Sequence, residues 1–213
     1  TPRYGDNDSH VFHELSKLFL FDWYSLPHHS HLFDRRWLHL EEKIITMKDV
    51  LQYLGGGDLR SIGRSSMLEK KIKTQDDFDS VFEFLTNPDR LVVMRAADLL
   101  EKVSKRNPEW LKGHKGALIR LLTKACDKEL KWHLALMCPR LPLTPSQAKT
   151  VWNVLSKWVL DSTESKIVRV NSLEGLKDLT SVNDEFGSHW ISIVSKIKED
   201  NTPSLKARLR NLI

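Results

Sequence analysis

A nine-residue pattern occurs four times along this chain at almost constant spacing. Val92-Val93-Met94-Arg95-Ala96-Ala97-Asp98-Leu99-Leu100 aligns with Leu130-Lys131-Trp132-His133-Leu134-Ala135-Leu136-Met137-Cys138, then with Val168 to Leu176 and with Leu205 to Ile213. The starts fall at 92, 130, 168 and 205, so the intervals are 38, 38 and 37 residues. Apolar or small residues return at the first, fifth, eighth and ninth positions, which lie on one stripe of a helix. A fixed period of this length is the mark of a repeat architecture, in which length reflects the number of units more than the size of one core.

Each repeated helix follows another amphipathic segment: Asp76 to Leu85, Lys115 to Ala125, Ser146 to Leu160 and Asp184 to Lys198. Starts are marked by Asn87-Pro88, Asn107-Pro108, Thr144-Pro145 and Thr202-Pro203. In each, a capping side chain precedes a proline whose missing N–H costs nothing at the first helical position. Thr144 and Gln147 also complete a capping box. The expected fold is therefore all-α. Two helices per unit, with the block Val168-Arg169-x-x-Ser172-Leu173-x-x-Leu176 and its counterpart at Val92 to Leu100, resemble HEAT or armadillo-type repeats over about residues 75–213. The resemblance implies a right-handed α-solenoid of about four hairpins, at 75–106, 108–140, 144–180 and 184–213, begun by a helical segment at 47–74. It also implies a binding scaffold, with a protein partner held on the face of the second helices and no catalysis.

Arg210 stands where the other units carry Ala97, Ala135 and Leu173, as expected of a terminal unit whose outer face meets water. Residues 1–46 read differently and form an expected N-terminal extension. They hold six of the nine histidines and eight of the 18 aromatic residues, with short helices expected over about Val11 to Tyr24 and Asp34 to Ile45. The whole chain has 33 basic against 28 acidic residues, and the first 46 residues carry five against seven. The extension is thus −2 and the repeat region +7. No apolar run approaches the roughly 18 residues of a membrane span. Two cysteines, Cys126 and Cys138, form neither a disulfide framework nor a metal spacing, which points to a reducing, cytoplasmic setting.

Few constellations suggest chemistry. Gly55-Gly56-Gly57-Asp58-Leu59-Arg60-Ser61-Ile62-Gly63-Arg64-Ser65 fails as a P-loop, because five residues separate Gly57 from Gly63 and arginine replaces the required lysine. It reads as a C-cap glycine followed by an ordered loop. The alternative is an anion site using Arg60 and Arg64 beside a helix that Ser65 or Ser66 would cap. His28-His29-Ser30-His31 lacks the spacing of a zinc site, and no cofactor, metal or catalytic residue is expected. The tryptophans Trp110, Trp132, Trp152, Trp158 and Trp190 invite comparison with helical-repeat DNA glycosylases of the alkylpurine type, but no motif matches residue by residue. The spacing of Trp152 and Trp158 favours packing positions.

The most regular polar feature follows the first apolar position of each unit. Lys131, Arg169 and Lys206 recur there, with Arg95, His133 and Arg208 two positions further on. Stacked repeats would align them as a basic ridge, unless acids on adjacent helices pair with them. Such a ridge supports a second reading, a nucleic-acid-binding repeat protein with possible base-excision activity.

Overall fold

The computed structural model describes residues 46–57 and 63–213, all of which lie in the unit Ile44–Ile213. The expected helices of the extension and its histidine cluster lie outside the described residues. Among the described residues there are ten α-helices and three 3-10 segments, and no strand. Helices α1 (Met47–Leu54) and α2 (Ser65–Glu69) come first. Four pairs follow: α3 (Gln75–Phe82) with α4 (Arg90–Arg106), α5 (Lys115–Lys124) with α6 (Lys128–Met137), α7 (Pro145–Leu160) with α8 (Lys166–Leu179), and α9 (Glu185–Glu199) with α10 (Pro203–Leu212). The 3-10 segments are Glu83–Thr86, Pro108–His114 and Cys138–Arg140.

Side-chain caps mark four of the ten helix starts. Thr144 caps α7 with Gln147 completing a box, and Pro145 takes the first helical position. Thr46 and Thr74 form the same box with Asp49 and Asp77 ahead of α1 and α3. Two expected starts are displaced. The cap of α4 is Asp89, which accepts from the Leu91 N–H at 2.8 Å, while Asn87 instead accepts from the Asp89 N–H at 2.9 Å. Asn107-Pro108 opens a 3-10 segment, and its side chain makes no cap bond. The cap position of α2 belongs to Arg64, without a side-chain bond, so neither Ser65 nor Ser66 caps it.

The repeated stripe is the core. Val92, Ala96, Leu99 and Leu100 are buried, as are Leu130, Leu134, Met137 and Cys138, and Val168, Ser172, Gly175 and Leu176. In the last pair Leu205 and Leu209 are buried, Leu212 is half-buried, and Ile213 and Arg210 are exposed. The second helices pack in sequence, α4 against α6, α6 against α8, and α8 against α10. The first helices follow alongside, α5 against α7 and α7 against α9. Burial of these stripes at roughly 25 cal/mol per Å² of apolar surface supplies the main stabilisation.

Candidate functional site

The first question is whether the period-spaced cations reach solvent. Arg95, in α4, is 1% exposed. Its guanidinium donates to the carbonyls of Leu54 at 2.7 Å, Gly55 at 3.1 Å and Gly56 at 2.6 Å. These carbonyls belong to the end of α1 and the glycine turn, so Arg95 serves groups that no helical N–H can reach. The turn is shaped around it. Gly57 has φ of 80° and Gly63 of 57°, and a Cβ at Gly63 would stand 2.9 Å from the guanidinium carbon. The described part of the loop therefore offers carbonyl oxygens to a cation, the opposite polarity from an anion nest. Arg64 is exposed, and Arg60 lies outside the described residues.

Lys131 and Arg169 bridge to the next unit. Lys131 Nζ lies 2.5 Å from Glu164 Oε2 and 5.5 Å from the centre of the Trp158 ring. Arg169 is 3% exposed and donates through Nε to the Val159 carbonyl at 2.9 Å and through a terminal nitrogen to Thr202 Oγ1 at 3.0 Å. Its other terminal nitrogen is paired with Asp200. Desolvation opposes ionisation of Asp200, but hydrogen bonds from Arg169 and Thr202 and the Arg169 charge outweigh it and hold the carboxyl at about 2. Arg208 is paired with Glu174. His133 is buried, and burial together with Lys102 pushes its imidazole down to about 3, so it is neutral at physiological pH. Lys206 is half-exposed and, among the described residues, has no carboxylate within 4.0 Å.

These placements correct the ridge. Arg95, His133 and Arg169 are buried, while Lys131 and Arg208 are paired within the chain. A charge that already satisfies an internal acid or carbonyl has little left for a phosphate.

The same bonds reveal another regularity. Arg90 with Glu129, Lys131 with Glu164 and Arg169 with Asp200 each tie a second helix forward to the acid before or at the start of the next one. Arg106 with Glu69, Arg140 with Glu101 and Arg208 with Glu174 reach back. Between α3 and the 3-10 segment ahead of α5, Gln75 donates to the Trp110 carbonyl at 3.1 Å, and His114 Nε2 lies 2.6 Å from Asp79 Oδ1. The residue separations of these contacts run from 31 to 39, close to one period. Recurrent polar side chains stitch neighbouring units together.

The face opposite the buried stripe is different. Its third repeat position is Met94, Trp132, Val170 and Ala207, and its seventh is Asp98, Leu136, Glu174 and Asn211. All but the exposed Asn211 are half-buried. This face carries a row of partly open apolar side chains edged by Lys102 with Asp98, Arg140 with Glu101, and Arg208 with Glu174. Sequence reasoning missed it, although positions three and seven lie about half a turn from the stripe and were available as a signal. Trp152, Trp158 and Trp190 are buried in packing, Trp152 stacked on Phe186 with ring centres 4.5 Å apart, and Trp110 and Trp132 are partly buried.

Over the described residues the protein is all-helical, with its helices packed against one another. Among the described residues no helix is long and apolar enough to cross a membrane. No protein-family profile and no curated protein matches the chain. Among solved structures it is similar to the crystal structure of an engineered protein, at a TM-score of 0.53 and 16% identity, with 78% of this chain covering 77% of that one. A likeness at this identity concerns the fold alone.

Proposed function

We propose that residues 75–213 form an α-solenoid of four HEAT/armadillo-type hairpins serving as a non-catalytic scaffold for a protein partner. The supporting observation is the division of labour among the second helices. Their recurrent cations Arg95, Lys131 and Arg169 are spent on contacts within and between units, and the opposite face offers the row Met94, Trp132, Val170 and Ala207. Partly open apolar residues rimmed by paired charges of both signs suit a polypeptide, whose apolar side chains find packing and whose backbone finds polar neighbours. Cys126 and Cys138 are free, which fits the proposed cytoplasmic setting.

A photo-crosslinking residue placed at Met94 or Leu136, with a control at the exposed Lys157 on α7, tests this. The expected result is one discrete polypeptide adduct from both face positions and none from Lys157. Equal labelling from Lys157 would contradict the reading, as would binding of duplex DNA with an affinity that falls steeply with salt.

A further inference from the structure

A cleft of about 460 Å³ opens where α2 ends, between the last turn of α4 and the start of Pro108–His114. Its floor is apolar: Ile72 and Val103 are buried, and Trp110 forms one side. Its rim carries Lys70, Lys73 and Arg106, with Glu69 as the single acid. We infer that this cleft binds an acidic peptide segment carrying a bulky apolar side chain.

The walls are held in place before any ligand arrives. Gln75 donates to the Trp110 carbonyl at 3.1 Å, and Phe78 meets the Trp110 ring edge-on with centres 5.8 Å apart. The Asn107 amide donates to the Val103 carbonyl at 3.4 Å. Arg106 pairs with Glu69 at 2.8 Å, which joins the α4 wall to the α2 wall. A preformed site spares a ligand part of the ordering cost of association. A volume of this order also lies within the usual range for binding clefts.

Charge selects the ligand. The Arg106 charge is matched by Glu69, whereas the ammonium groups of Lys70 and Lys73 are exposed and, among the described residues, have no carboxylate within 4.0 Å. The neighbouring Lys71 is engaged elsewhere, over the Tyr53 ring at 5.8 Å. Two unmatched ammonium groups above an apolar floor suit carboxylates beside a hydrophobic side chain. A phosphate dianion fits less well, because the one arginine is already paired with Glu69 and neither lysine offers a bidentate fork. Duplex DNA would need cations spread along a much longer track.

This inference shares with the proposed function only the choice of a polypeptide ligand. The cleft is tested through Lys70 and Lys73 and the second-helix face by crosslinking, so either can fail alone. The experiment is fluorescence anisotropy of the full chain with a fluorescein-labelled peptide of alternating glutamate and leucine at low salt. Saturable binding is expected. It should be weakened at least about tenfold by Lys70→Glu with Lys73→Glu, and abolished when lysine replaces glutamate in the peptide. Trp110→Phe should retain binding that Trp110→Ala loses, with thermal melts confirming that each variant is folded. The inference is overturned if the peptide fails to bind or binds the double lysine variant equally well. Displacement by inorganic phosphate or duplex DNA at matched ionic strength would also overturn it.

Discussion

Replacing Gly175 by alanine probes the closest contact between consecutive second helices. Gly175 lies inside α8, where it meets α6. A Cβ there would stand 2.3 Å from the Ala135 carbonyl oxygen, 3.0 Å from Leu155 Cδ1 and 3.1 Å from Pro139 Cγ. The leucine can rotate away, but the oxygen is backbone held in α6. Its usual helical donor, four residues on, is Pro139, which has no N–H, so this carbonyl is left to face the Gly175 Cα. Alanine favours a helix over glycine by about 1 kcal/mol. Overpacking costs roughly 1–3 kcal/mol, and an immovable oxygen puts this case at the upper end. The net expectation is a loss of about 2 kcal/mol, or about 4–8 °C in Tm for a chain of this size. Gly187 in α9 supplies the control. Nothing lies within 4 Å of a Cβ added there, so Gly187→Ala should stabilise by up to about 1 kcal/mol. Thermal and urea unfolding followed by circular dichroism would read both. A Gly175→Ala protein melting at or above the parent would refute the close packing of α6 on α8.

Four further outcomes follow from the buried polar groups. His133 titrates at about 3 in the fold and near 6.5 when unfolded, so its neutral burial stabilises fully above pH 6.5 and loses up to about 1.4 kcal/mol per unit as pH falls toward 3. Among the described residues His133 Nε2 has no hydrogen-bond partner, so His133→Leu should flatten that slope without destabilising the protein at neutral pH; urea midpoints compared at about pH 7 and about pH 5 check it, and an unchanged slope contradicts it. Arg169→Met strands Asp200, the Val159 carbonyl and Thr202, for an expected loss of roughly 3–5 kcal/mol that adding Asp200→Asn partly restores; melts unchanged within about 1 °C would contradict it. The Asp200 carboxylate, held at about 2, contributes stability above its ordinary pKa that is lost as pH falls toward 2, and the Arg169→Met protein should keep only the part of that acid limb that Thr202 supplies. Arg95→Met removes the donor to three carbonyls and should increase amide hydrogen exchange selectively in α1; uniform exchange along the chain would contradict the assignment.

The packing stripe was readable because burial imposes the 3.6-residue period directly on residue type: Val92, Leu130, Val168 and Leu205 are apolar for the same reason they are buried. The capping threonine before Pro145 was readable because cap chemistry is local. The fate of the cations was not. Lys131 and Arg169 look alike in sequence whether they face water or an acid, since spacing gives azimuth on a helix but not the length of the loop that meets it. Their partners Glu164 and Asp200 did carry a signal, standing about one period downstream. The role of Gly55 to Gly57 was hidden further, because it depends on Arg95 roughly 40 residues away. The row Met94, Trp132, Val170 and Ala207 went unread because half-buried apolar positions resemble core positions until the opposite side of the helix is known to be packed.

The measurement that tests the account most directly is a double-mutant cycle across the junction bridged by Lys131 and Glu164. Lys131→Met, Glu164→Gln and the combined variant would each be unfolded in urea. If recurrent cations join neighbouring units, the two substitutions couple by about 1–2 kcal/mol, because this pair is largely withdrawn from water. Strict additivity, with Lys131→Met alone costing nothing, would mean that the lysine stands free on the surface and joins no units.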